Sequence, residues 1–71
     1  MKWTEMLSCS PETLREHYAG VRALAYNNAN MAQCCRDGGS TIKKLARQMG
    51  YLMTQVSMCE NAARKRNLAL A

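Results

Sequence analysis

The sequence predicts an all-α protein: an antiparallel two-helix hairpin, residues about 11–36 and 40–66, that pairs with a second copy into a four-helix bundle. Three observations carry that expectation. Leu14, His17, Val21, Leu24, Asn28, Met31 and Cys35 follow alternating steps of three and four, and Ile42, Leu45, Met49, Leu52, Val56, Cys59 and Ala63 do the same. Such steps average 3.5 residues, the period of a seam between packed helices. Between the seams stands a polar break, Asp37-Gly38-Gly39, and no proline follows Pro11 to interrupt either segment.

Taken in order, residues 1–10 form a lead-in segment whose Trp3, Met6 and Leu7 are expected to fold over the open end of the hairpin beside Leu68 and Leu70. The first helix begins at Ser10-Pro11-Glu12-Thr13. Serine caps the free amides, proline suits the first helical position, and an acid there favours the helix dipole. The turn occupies residues 37–40, where glycine ends one helix and Ser40 or Thr41 can cap the next. The second helix runs to Arg64-Lys65-Arg66, a cationic run suited to a helix C-terminus, and residues 67–71 form a tail. Each helix of roughly 26 residues spans about 39 Å. A turn centred on the glycines places opposite each other residues whose numbers sum to about 77, so that His17 faces Cys59 or Glu60 and Asn28 lies near Met49. Polar residues in a seam fix register at some cost in stability.

The chain is 71 residues long, one domain at most, and carries a net charge of +5. Residues 1–39 are neutral overall; all the excess lies in 40–71, where Lys43, Lys44, Arg47, Arg64, Lys65 and Arg66 face only Glu60. These six residues are the candidate surface for an anionic partner. Between Arg22 and Arg36, and again between Arg47 and Glu60, the chain bears no charge. A hairpin hides one stripe per helix, which leaves Tyr26, Tyr51, Met53 and Met58 as candidates for a dimer interface.

Several classes are disfavoured. No acidic pair, glycine-rich phosphate loop, or nucleophile with a base and orienter is present, so neither an enzyme nor a cofactor, metal or small-molecule substrate is expected. His17 lacks a second histidine or carboxylate pair with which to hold a metal. No apolar run reaches a membrane span, and the opening residues, with Glu5 among them, do not read as a signal peptide. Four cysteines without a Cys-x-x-Cys pair read as reduced thiols, so the expected location is cytoplasmic.

Residues 41–61 carry a second pattern: Leu45-Ala46, Gly50, Gln55-Val56-Ser57 and Glu60-Asn61. Their spacing resembles the helix-turn-helix of the phage repressor and Cro family. The resemblance implies a turn at Gly50 and a recognition helix at 52–58, with Thr54, Gln55 and Ser57 near bases. It also implies Lys43, Lys44 and Arg47 near phosphates. The seam, by contrast, runs straight through Gly50, and a glycine inside a helix costs only about 1 kcal/mol relative to alanine. In architecture alone the hairpin resembles Rop-like helical hairpins. The leading functional expectation is a non-enzymatic accessory regulator of phage or plasmid type, a homodimer that binds a protein or nucleic acid stoichiometrically. The alternative is a helix-turn-helix transcriptional regulator.

Overall fold

The computed structural model describes residues 1–34 and 40–70. Among these, three helices are formed: α1 at Trp3–Ser8, α2 at Pro11–Cys34 and α3 at Ser40–Arg66. The expected turn at Asp37-Gly38-Gly39, and the seam position Cys35, lie outside the described residues. Tyr18 bonds to Glu60 and Asn28 to Gln48, so residue numbers rise on α2 as they fall on α3 and the long helices run antiparallel.

The start of α2 follows the capping expectation. The Ser10 hydroxyl accepts from the Thr13 amide at 3.2 Å, the Ser10 carbonyl accepts from Leu14 at 3.1 Å, and Pro11 is the first helical residue. At its other end α3 closes with Asn67 in the left-handed region, φ 58°. The Leu68 amide donates to the Ala63 carbonyl at 2.8 Å and the Asn67 amide to the Arg64 carbonyl at 3.3 Å. This is the paired-bond helix stop that usually employs glycine and sometimes asparagine. It turns Leu68 and Leu70 back onto the core, while Arg15 Nε holds the tail through the Ala69 carbonyl at 2.7 Å.

The lead-in is a helix, which its length and its lack of a side-chain cap gave no reason to expect. Six residues are far too few to be helical alone. Packing supplies the stability: Met6 is fully buried, and Trp3 and Leu7 pack around it against a core of Leu14, Tyr18, Cys59, Ala62 and Ala63. Arg66 completes the arrangement from α3. Its guanidinium donates to the Met6 carbonyl at 2.8 Å and the Cys9 carbonyl at 2.6 Å, satisfying acceptors at the end of α1.

The seam of α3 holds Leu45, Leu52, Cys59 and Ala63 buried and Ile42, Met49 and Val56 half-buried, as the spacing predicts. The seam of α2 is a correction. Leu14, Val21 and Asn28 are buried, but Leu24 and Met31 stand in solvent, and buried Tyr18 with half-buried Ala25 and Ala32 takes the inner positions. The inner series 14, 18, 21, 25, 28, 32 also alternates four and three, so sequence spacing alone admits both settings. Small side chains at Ala25 and Ala32 let the helices approach along one edge. Burying the Tyr18 ring, over which Arg22 lies at 5.4 Å, favours the same rotation.

The register also differs in detail. Asn28 donates to Gln48 at 3.2 Å, one residue from the expected Met49, whereas His17 meets Gln55 at 2.9 Å, about a turn from Cys59. A glutamine offers the imidazole a hydrogen bond that a buried thiol cannot match. No buried side-chain nitrogen or oxygen among the described residues is left without a partner. The apolar core thus sits at the open end, under α1, while the middle of the hairpin is joined by Val21, Leu52 and the Asn28–Gln48 amides.

Candidate interaction site

The rotation of α2 half-buries Ala25 and Ala32 and leaves Leu24 and Met31 exposed on the other edge. Along the open edge a groove of about 310 Å³ runs between Leu24, Asn27 and Met31 on α2 and Gln48 and Tyr51 on α3, floored by Asn28 and Leu52. Its apolar rim is unusually bare: Leu24, Met31 and Tyr51 keep 57%, 59% and 59% of their surface in solvent. No charged residue lines it. Lys44 lies further along the same side of α3, one turn from Gln48.

Residues 44, 48, 51, 55, 58 and 62 alternate four and three and therefore share one flank of α3. At the open end that flank is occupied: Gln55 bonds to Met1, and Met58 and Ala62 belong to the cluster that receives Trp3 and Met6. The leading segment thus covers half of the flank, with Met1 beside Gln55. The groove is the uncovered remainder.

Of the four residues expected at a dimer interface, only Tyr51 lies on this groove. Tyr26 and Met53 are exposed but stand about 200° around their helices from Leu24 and Tyr51, on the opposite flank. Met58 is half-buried against the open-end core. Leu24 and Met31 were the residues missed, because they also fit the seam. The signal available was the pair Ala25 and Ala32, one step further round, where small side chains permit a closer helix approach.

The basic residues separate as well. Lys43, Lys44, Arg47, Arg64 and Lys65 are exposed, whereas Arg66 is half-buried and spends its guanidinium on the carbonyls of Met6 and Cys9. Lys43, Arg47, Gly50, Thr54, Ser57, Asn61 and Arg64 alternate four and three along α3, and every one of them is exposed. This stripe lies opposite the seam. Its one acidic neighbour in residues 40–70, Glu60, sits toward α2 and accepts from the Tyr18 hydroxyl at 3.4 Å.

Residues 41–61 lie wholly within α3, which continues through Gly50 without a turn. Of the three positions the repressor resemblance placed near bases, Thr54 and Ser57 are exposed, and the Thr54 hydroxyl donates to the Gly50 carbonyl at 2.9 Å. Gln55 is buried and engaged by His17 and Met1.

Cys9 and Cys59 are free thiols, the first half-buried and the second fully enclosed. Burial pushes the Cys59 thiol above its ordinary range, with smaller contributions of both signs from nearby charges. No group of three or more His, Cys, Asp or Glu residues among those described has the arrangement of a metal site. No helix of the described residues is long and apolar enough to cross a membrane. Compared with known proteins, the chain matches no protein-family model, no curated protein and no solved structure.

Proposed function

We propose that this is a small non-enzymatic regulatory or accessory protein of phage or plasmid type, which works as a homodimeric four-helix bundle and binds a macromolecular partner stoichiometrically. The observation that carries the reading is the uncharged groove with its three exposed apolar residues, Leu24, Met31 and Tyr51. A copy of the same chain is the occupant best suited to it. The excess positive charge lies on α3, and this uncharged strip lets two copies meet without bringing like charges together.

Surface area supports the same occupant. The hairpin measures 43 × 20 × 15 Å, with a radius of gyration of 14.0 Å. A compact chain of 71 residues has a radius near 11 Å. The accessible surface is 5065 Å², against about 4,450 Å² expected for a compact monomer of 8.0 kDa. The surplus approaches the roughly 800 Å² that each partner contributes to a standard interface. A side-by-side pairing through the groove would cover it and supply the core that the middle of the hairpin lacks.

Light scattering on a size-exclusion peak tests this reading. The wild-type chain is expected at twice its 8.0 kDa mass. Leu24→Glu and Tyr51→Lys are expected to reduce that to one chain while far-ultraviolet circular dichroism stays helical. A wild type that runs as a single chain at every concentration would contradict the dimer.

A further inference from the structure

We propose that the outer face of α3 binds nucleic acid. Lys43 and Arg47 at one end, and Arg64 and Lys65 at the other, contact the phosphate backbone, while the polar stretch between them lies against sugars and base edges. This names the partner for the stoichiometric binding proposed above, and it does not depend on the subunit number.

The first support is the one-signed charge of the face. The exposed stripe at positions 43, 47, 50, 54, 57, 61 and 64 has basic residues at both ends and no acid. Of the six basic residues of α3, Arg66 is turned inward onto α1, Lys43, Arg47 and Arg64 lie on the stripe, and Lys44 and Lys65 are exposed directly beside it. The second support is length. Lys43 and Lys65 are separated by roughly 33 Å along an unbroken α-helix. One ligand that engages both ends must be an extended polyanion; a small anion or a single acidic side chain reaches only one.

The chemistry of the middle discriminates further. Gly50, Thr54, Ser57 and Asn61 offer hydrogen-bonding groups and little bulk. Protein interfaces draw most of their energy from large aromatic or apolar anchors, and binding at a membrane surface needs an apolar face beside the basic one. The stripe itself holds no large aromatic or apolar residue; the exposed Tyr51 and Met53 stand on its two flanks. Hydroxyl and amide side chains, with flanking arginine and lysine, are the groups that meet phosphate, sugar and base edges.

Gly50 adds an independent point. A Cβ built on it meets nothing within 4 Å, so no packing inside the chain calls for glycine there, although glycine weakens the middle of a helix. The open space above Gly50 leaves the middle of the stripe low enough for a bound strand to lie close to the helix.

The experiment measures fluorescence anisotropy of labelled duplex DNA, duplex RNA and single-stranded DNA against the intact protein over a range of salt. At least one of these is expected to bind at low salt. Lys43→Ala with Arg47→Ala, and separately Arg64→Ala with Lys65→Ala, are each expected to weaken binding about tenfold or more and to reduce the salt slope by about 2. Gly50→Ala should retain full helicity yet bind several-fold more weakly. Lys2→Ala, which removes a charge from the residue that precedes α1, should bind as the wild type does. Light scattering on every variant keeps a failure of dimerisation distinct from a failure of this face. The proposal is overturned if no nucleic acid binds at low salt, if Lys2→Ala weakens binding as much as the paired variants, or if poly-glutamate or anionic lipid vesicles bind as tightly and through the same residues.

Discussion

His17 and Gln55 meet across the two long helices, with His17 Nε2 standing 2.9 Å from Gln55 Oε1, and the α-ammonium of Met1 donates to the same oxygen at 3.1 Å. An ammonium can only donate, so the Gln55 amide must present its oxygen on this side, and His17 Nε2 must carry the proton. The amide nitrogen then faces the Met58 sulfur at 3.8 Å. One buried amide therefore ties α2, α3 and the leading segment together, at the boundary between the covered flank and the open groove.

Replacing Gln55 by leucine removes the shared acceptor and leaves two donors facing apolar surface. The expected loss is about 1–3 kcal/mol in urea denaturation. A double-mutant cycle with His17→Ala should return a coupling of about 0.5–3 kcal/mol. Additive effects would mean that the two side chains are neighbours and nothing more.

Arg66 should behave unlike the two basic residues before it. Arg66→Ala strips the acceptors at the end of α1 of their donor and should destabilise the fold by about 1–3 kcal/mol, whereas Arg64→Ala and Lys65→Ala should stay within about 0.5 kcal/mol. Arg66→Lys should rescue only part of the loss, because an ammonium cannot reproduce the planar fork that spans the Met6 and Cys9 carbonyls. Thermal melts of the four proteins check the ranking.

Much of this architecture was legible from residue type and spacing. Ser10-Pro11 marks the start of α2 through capping chemistry that is local in sequence, and the α3 seam reads directly because its neighbours at 43, 47, 50, 54 and 57 are polar or glycine. What stayed hidden depends on contacts between distant residues. The helix at Trp3–Ser8 exists through Met6, buried against residues more than fifty positions away. The rotation of α2 turns Tyr18, Ala25 and Ala32 inward in place of Leu24 and Met31, and both settings satisfy the same periodicity. Arg66 reads as one of a cationic run, and only the position of α1 turns it inward. The groove was missed for the second of these reasons: its apolar rim was assigned to the interior.

Of Cys9 and Cys59, the second should be the protected thiol. Alkylation of the native protein followed by peptide mapping is expected to modify Cys9 well before Cys59, whose side chain is fully enclosed. The raised pKa carries a sign for stability. Below the ordinary thiol value of 9.0 the thiol is neutral in both folded and unfolded chains, so its contribution is fully present. Above that value the unfolded chain releases the proton while the folded one retains it, and stability falls as pH rises toward the folded pKa. The wild type should therefore lose stability in the alkaline range more steeply than Cys59→Ala. Parallel urea titrations across that range check the difference in slope.

Gly20 is exposed on the same face of α2 as Leu24, Asn27 and Met31, and a Cβ built there meets nothing within 4 Å. Gly20→Ala should raise the stability of the isolated hairpin by about 0.5–1 kcal/mol, since alanine favours the helix. The same methyl group would stand between paired copies. Sedimentation should accordingly show weaker association of the variant, opposite in direction to its gain in helix stability.

The most direct measurement is an isotope-filtered NMR experiment on a mixture of labelled and unlabelled chains, which detects contacts only between copies. A dimer paired through the groove gives cross-peaks from the Tyr51 ring of one copy to the Leu24 and Met31 methyl groups of the other. A dimer whose intermolecular contacts come instead from Tyr26 and Met53, or a sample with no such contacts at all, would contradict that pairing.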